Sequence, residues 1–225
     1  MSLKLDRIAF YGRTLAEYVK MYDLNLPALS GKRVLDCPGG ASSFTAEALE
    51  HGIQAYACDI LYGGDLSAVF AQGEADIAHT VERVAQVADL FVWDFYRNAD
   101  ELHASRSKAL RGFSAHYPHN HYINAKLPSL PFADRAFELV LSGHLLFTYS
   151  DRLDYSFHLN ALREMLRVSA NEVRVYPLQG LDSKPYPQLQ QLLNDLQAEG
   201  LAADILPVPF EFQRGSNQIM RLRRQ

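Results

Sequence analysis

The sequence is sparing in several things. Its 225 residues include two cysteines, Cys37 and Cys58. That is too few for a disulfide framework, and no Cys/His cluster has the spacing of a zinc site. Buried free thiols in a cytosolic protein are the plain expectation. Both cysteines stand near the ends of neighbouring predicted strands, so a redox pair stays open. No stretch approaches the roughly 20 consecutive apolar residues of a membrane span, and no signal-peptide pattern is visible. A cytoplasmic protein without membrane contact is therefore expected. Positive charge is not in excess: 22 Lys and Arg stand against 26 Asp and Glu, a net −4. This speaks against nucleic acid as the main partner. The basic cluster Arg221, Arg223 and Arg224 reads as a solvated strand end. His116, His119 and His121 have no carboxylate or cysteine beside them, so they are expected to line a pocket rather than hold a metal. Repeats, low-complexity tracts and linkers are missing, and the length suits a single α/β domain over residues 1–225.

What the sequence does have centres on residues 33–44. Val34 and Leu35 read as a short strand buried on both faces, stopped by Pro38, Gly39 and Gly40. Ser42 or Ser43 is placed to cap the helix that follows. A helix start behind a glycine turn is expected to present free N–H groups to the polar or anionic part of a nucleotide-like ligand. Gly52 closes that helix, and the next strand, residues 54–60, carries Asp59. An acid about 20 residues past such a turn can accept hydrogen bonds from ribose hydroxyls.

This pattern resembles the class I S-adenosylmethionine-dependent methyltransferases. The family's acidic-x-Gly-x-Gly-x-Gly motif falls on Asp36, Pro38, Gly40 and Ser42, so its first and last glycines are replaced. Residues 130–142, from Leu130-Pro131-Phe132 through Asp134 to Phe137-Glu138-Leu139-Val140, look like the approach to the family's fourth strand. Arg163 to Val168 is similar to the helix before the fifth. The resemblance implies a doubly wound, mostly parallel seven-stranded sheet with an antiparallel last strand and helices on both faces. It implies S-adenosylmethionine as cofactor and a small-molecule acceptor. Asp36 would organise the loop and the methionine ammonium, and Pro38, Gly39, Gly40 and Ala41 would approach the cofactor through backbone, next to Ser43. Asp59 would hold the ribose, with Ile60 and Leu61 beside the adenine. Ser142, Gly143 and His144 would flank the transferred methyl, His144 being the candidate catalytic residue. The alternative is a non-catalytic binder of S-adenosylmethionine or a nucleotide on the same fold; a dinucleotide oxidoreductase is a third reading.

The rest of the chain is expected to serve this centre. Residues 1–30 form an N-terminal helical cap, with a helix over 5–24 whose start is broken or delayed at Gly12. Tyr11 and Arg13 either reach cofactor or substrate, Arg13 pairing a carboxylate, or belong to a surface helix. Residues 61–120 form an insertion far longer than usual, containing short helices over 65–72 and 75–87, an aromatic run over 90–96 and a polar helix over 99–111. It is either a lid over the site or an extra structural layer. Asn124 is the nearest polar residue to a bound adenine. Ser150 or Asp151 caps the helix after the fourth strand, and residues 213–217 suit a hairpin turn between the last two strands.

Overall fold

The computed structural model describes residues 3–225. Strands β1 (Arg33–Asp36), β2 (Gln54–Asp59), β3 (Tyr122–Asn124), β4 (Phe137–Gly143), β5 (Ser169–Tyr176), β6 (Leu201–Pro207) and β7 (Gln218–Arg224) form one seven-stranded sheet in the order β3-β2-β1-β4-β5-β7-β6. β1 to β5 are mutually parallel, and β7 runs antiparallel to both its neighbours. This is the doubly wound, mostly parallel seven-stranded sheet with an antiparallel last strand that the sequence resemblance implies. Alternation along the central strands divides the core. Val34, Leu139 and Leu141 pack on one face, with α1 (Leu15–Tyr22), α3 (Phe44–Glu50), α4 (Leu66–Gln86) and α5 (Ala99–His116). Leu35, Val140 and Val173 pack on the other, with α6 (Tyr155–Val168) and α7 (Leu189–Ala198). A one-turn helix, α2 (Leu26–Leu29), leads into β1. Among the described residues no helix is long and apolar enough to cross a membrane.

Several expectations are corrected here. The N-terminal helix begins only at Leu15, not at residue 5; residues 3–13 cross the sheet's end as an irregular strap. The cause is Gly12, which packs backbone to backbone on the glycine turn. A Cβ there would stand 1.9 Å from the Ala41 carbonyl oxygen. The insertion's first part is one helix, α4, rather than two. Its Gly73 does not break the helix but lets α5 approach, with Leu110 against it. α6 is capped by Asp154, whose side chain accepts from the Phe157 N–H, and not by Ser150 or Asp151. Residues 208–217 form a long excursion rather than a tight turn. It pairs with the insertion through Phe91 and Gln213 and stacks Phe212 on Phe91 at 4.7 Å. The histidine cluster lies on the outer side of β3. His121 Nδ1 meets the Ala55 carbonyl at 3.0 Å, so the cluster packs on β2 and lines no part of the cleft described below.

Candidate functional site

A cleft of about 1100 Å³, including its mouth, opens at the carboxyl ends of β1, β2 and β4, where open α/β sheets bind ligands. Pro38, Gly39, Gly40 and Asp59 form its floor, and Gly143 and His144 one side. The strap closes it from above with Leu3, Leu5, Tyr11 and Arg13.

Four N–H groups of the glycine turn that the sequence suggests are free are already paired. The Gly39 N–H donates to the Cys58 carbonyl at 2.9 Å, and the Gly40 N–H to Asp59 Oδ2 at 3.2 Å. The Ser42 N–H donates to the Gly39 carbonyl, and the Ser43 N–H to the Arg13 carbonyl at 3.1 Å. Gly40 takes φ +53°, and a Cβ on it would meet the Tyr11 carbonyl at 3.0 Å. The turn is thus a rigid seam between β1, β2 and the strap. It is poorly suited to cradling a phosphate.

Two carboxylates flank it. Asp36 is fully buried, and its Oδ2 accepts from the Tyr18 hydroxyl at 2.7 Å while Oδ1 has no partner. Burial pushes its pKa up to about 8, with the nearby Asp59 charge adding to the rise and the Tyr18 bond and Arg13 opposing it. Asp59 holds the turn to the loop after β2, accepting from the N–H groups of Gly40 and, at 3.0 Å, Leu61. Burial raises its pKa too. Each of its oxygens keeps a lone pair for a further donor.

Above the turn stands a buried ionic network. Glu17 is 0% and Arg106 1% exposed, and their side chains pair at 2.5 Å. The Tyr96 hydroxyl donates to Glu17 and accepts from Arg106 at 2.7 Å. Burial alone would raise the Glu17 pKa, but Arg106, Arg13 and hydrogen bonds from Thr14 and Tyr96 hold it below its ordinary value. Both guanidinium groups lie over the Tyr11 ring, Arg106 at 4.9 Å and Arg13 at 5.4 Å from its centroid. Arg106 is neutralised by Glu17; Arg13 has no ion-pair partner among the described residues.

His144 is held where β4 ends, at φ +53°, a left-handed conformation rare for a residue with a side chain. Its N–H donates to the Tyr176 carbonyl at 2.8 Å, which fixes the turn, and its Nδ1 is shielded without a partner. Burial, reinforced by Arg13 and Arg106, lowers its pKa well below the ordinary histidine value, so the ring is neutral at neutral pH.

Of the residues singled out from the sequence, the cleft brings together Tyr11, Arg13, Pro38, Gly39, Gly40, Asp59, Gly143 and His144. Asp36, Ala41, Ser43 and Ser142 are buried behind its wall. Ile60 and Leu61 stand outside it, 62% and 39% exposed. Asn124 is occupied with the loop after β2, donating to the Ile60 carbonyl at 2.9 Å and to that of Tyr62. Cys37 and Cys58 are both free thiols, buried and close enough for Cys37 to hydrogen-bond Cys58. Sequence reasoning missed Glu17, Arg106, Thr80 and Thr148, and the cleft-lining rings Phe210 and Phe212. For Arg106 a signal existed: it shares an apolar helix stripe with Leu102, Ala109, Leu110 and Phe113.

No family model matches the sequence. The chain is 29% identical over 225 residues to the uncharacterised protein MJ0045 of Methanocaldococcus jannaschii, covering 99% of each. Among solved structures it is similar to a SAM-dependent methyltransferase from Aquifex aeolicus, at 13% identity and a TM-score of 0.44, covering 92% of each chain. It is also similar to the 1,6-didemethyltoxoflavin-N1-methyltransferase of Burkholderia thailandensis, at 14% identity and a TM-score of 0.47, covering 89% of this chain and 76% of that one. At such identities and scores these likenesses say nothing of substrate.

Proposed function

We propose that the cleft binds S-adenosylmethionine and that the protein transfers its methyl group to a small-molecule acceptor. One observation carries the reading. A buried carboxyl group with an orphaned oxygen (Asp36) and an unpaired guanidinium (Arg13) flank a glycine turn, with Asp59 at its far end. Arg13, in the cleft lining, complements the carboxylate of an amino acid and Asp59 a ribose diol, while Asp36, behind the wall, sets the turn and Tyr18 beneath them rather than pairing with the ammonium. The exposed Ile60 and Leu61 beside Asp59 offer an apolar face to an adenine ring. The turn's consumed N–H groups disfavour a pyrophosphate, which argues against the dinucleotide reading.

When bound, the cofactor would supply an electrophilic methyl on a sulfonium sulfur, with the neutral thioether as leaving group. The chain's own part is alignment and exclusion of water, for which the strap, the turn and the end of β4 make a fixed frame. His144 Nδ1, neutral and free, takes the proton of an acceptor that carries one. A binder without turnover has no use for that arrangement.

The test is calorimetric titration with S-adenosylhomocysteine. The wild type should bind it and should not bind NAD; the opposite pattern would sink the reading. Asp59→Ala should lose about 1.5–3 kcal/mol of affinity while its melting curve stays cooperative. An unchanged affinity would remove Asp59 from the ribose site.

A further inference from the structure

Beyond His144 the cleft changes character. Tyr176 packs against the His144 ring at 5.2 Å and against Phe210 at 6.0 Å. Phe212 and Phe91 continue this aromatic wall. Across from them are Thr80 of α4 and Thr148 of the loop after β4. Thr80 is 6% and Thr148 8% exposed, and the hydroxyl of each is buried without a hydrogen-bond partner. A buried hydroxyl left unpaired is costly, so two of them on one cleft indicate a ligand with polar substituents. The rings indicate a flat one, since aromatic faces and edges pair with other rings at such spacings. The charge is also informative. Asp59, on the floor by the glycine turn, is the acidic residue lining the cleft; the basic ones are Arg13 and Arg106. Glu17 neutralises one of these and leaves the other uncancelled. With Arg13 facing the cofactor's carboxylate, it is the neighbouring sulfonium that a cationic acceptor would meet unfavourably.

We infer that the acceptor is a flat aromatic hydroxyl compound, neutral or anionic. Its ring lies against Phe91, Phe210 and Phe212, and its polar substituents bond to Thr80 and Thr148. This deepens the methyl-transfer reading and rests on it. Amines that carry charge at neutral pH, and saturated alcohols, fall outside the class.

The chain carries its own probe. Its single tryptophan, Trp93, meets the Phe212 ring edge-on at 5.3 Å. Titration of the protein with para-nitrophenol, with and without S-adenosylhomocysteine, should quench Trp93 fluorescence saturably. The cation para-nitrobenzylamine and the saturated cyclohexanol should bind at least about tenfold more weakly, read directly or by competition. Thr148→Val and Phe212→Ala should each weaken nitrophenol binding roughly fivefold to tenfold, with S-adenosylhomocysteine affinity by calorimetry unchanged. Should Phe212→Ala fail to fold, the near-isosteric Thr148→Val and the wild-type ligand series decide the matter. If the amine binds as tightly as the phenol, or the phenol produces no saturable quench, the aromatic-hydroxyl assignment is overturned while bound S-adenosylhomocysteine keeps the cofactor reading. If S-adenosylhomocysteine does not bind, the cofactor reading falls and the acceptor role falls with it.

Discussion

Asp36 shows how burial decides what a motif residue is. With its pKa pushed up to about 8, it is a carboxylic acid rather than a carboxylate in the free protein at neutral pH. Its folded-state pKa lies above the ordinary 3.8, so the native state holds the proton more firmly than the unfolded chain does. The resulting stability is fully present below the unfolded pKa and is lost as pH rises through the folded one. Wild-type melting temperature should therefore fall between about pH 4 and about pH 8 more steeply than that of Asp36→Asn, which cannot ionise, and run parallel to it above that range. Curves parallel throughout would remove Asp36 as the cause. His144 calls for a different substitution. At φ +53° alanine would add backbone strain of its own, whereas asparagine tolerates that region. His144→Asn should lower turnover of a protonated acceptor by roughly 10²–10⁴-fold, with S-adenosylhomocysteine affinity little changed. Turnover per folded molecule equal to wild type would leave alignment as the whole of the catalysis.

The insertion lines the site with Thr80, Val84, Phe91 and Arg106, and Arg106 is the one that ties it to the N-terminal helix. Arg106 comes from the middle of α5, crosses to Glu17 on α1 and takes Tyr96 from the aromatic run with it, so three distant segments meet in one buried network. Removing one member strands a charge. Arg106→Met should destabilise the fold by about 3–5 kcal/mol in denaturant unfolding, and the double change Glu17→Gln with Arg106→Met should recover a large part of that. Additive losses would mean that the pair is not the unit. This network also marks where the sequence stopped being legible. Strand order, the antiparallel ending and the turn–Asp59 pairing are encoded in short local patterns: an apolar run, a glycine stop, an acid at the next strand's end. The consumption of the N–H groups of Gly39 and Ser43 is not, because their acceptors are the Cys58 and Arg13 carbonyls, distant in the chain and without side-chain signature. The helical spacing of Leu15, Tyr18, Val19 and Tyr22 does not extend back over Leu5, Ile8 and Tyr11. They face the cleft from irregular backbone, since Gly12 needs its α-hydrogen against Ala41 more than the segment needs a helix.

The strap and the glycine turn are walls of one cavity, Asp59 ties the loop after β2 to the turn, and the three should respond to a ligand as one. The strap is tied at several points: the Leu3 N–H to the Leu181 carbonyl, Arg152 to the Leu5 carbonyl, the Ala9 N–H to the Tyr149 hydroxyl, and the Phe10 N–H to Asp76 at 2.8 Å. These are single bonds to separate elements rather than a ladder, so the segment can open without disturbing the sheet. Its inner surface, Leu3, Leu5 and Ile8, is apolar and faces the cleft, which favours closure over a ligand that fills the space. Hydrogen exchange should show this directly. On addition of S-adenosylhomocysteine, amides of residues 8–14, 39–43 and 60–64 should slow together, while those of β6, at the far edge of the sheet, keep their rates. Asp76→Asn breaks the Arg7 tie and weakens the one to Phe10. It should speed exchange at residues 7–10 in the free protein and leave Gly39 and Gly40 unchanged, because their bonds to Cys58 and Asp59 do not pass through the strap. Protection confined to the strap, with the turn and the β2 loop unaffected, would mean the ligand sits above these walls rather than among them. The assignment of Asp59 and the glycine turn to cofactor binding would then be lost, whatever the affinity measured.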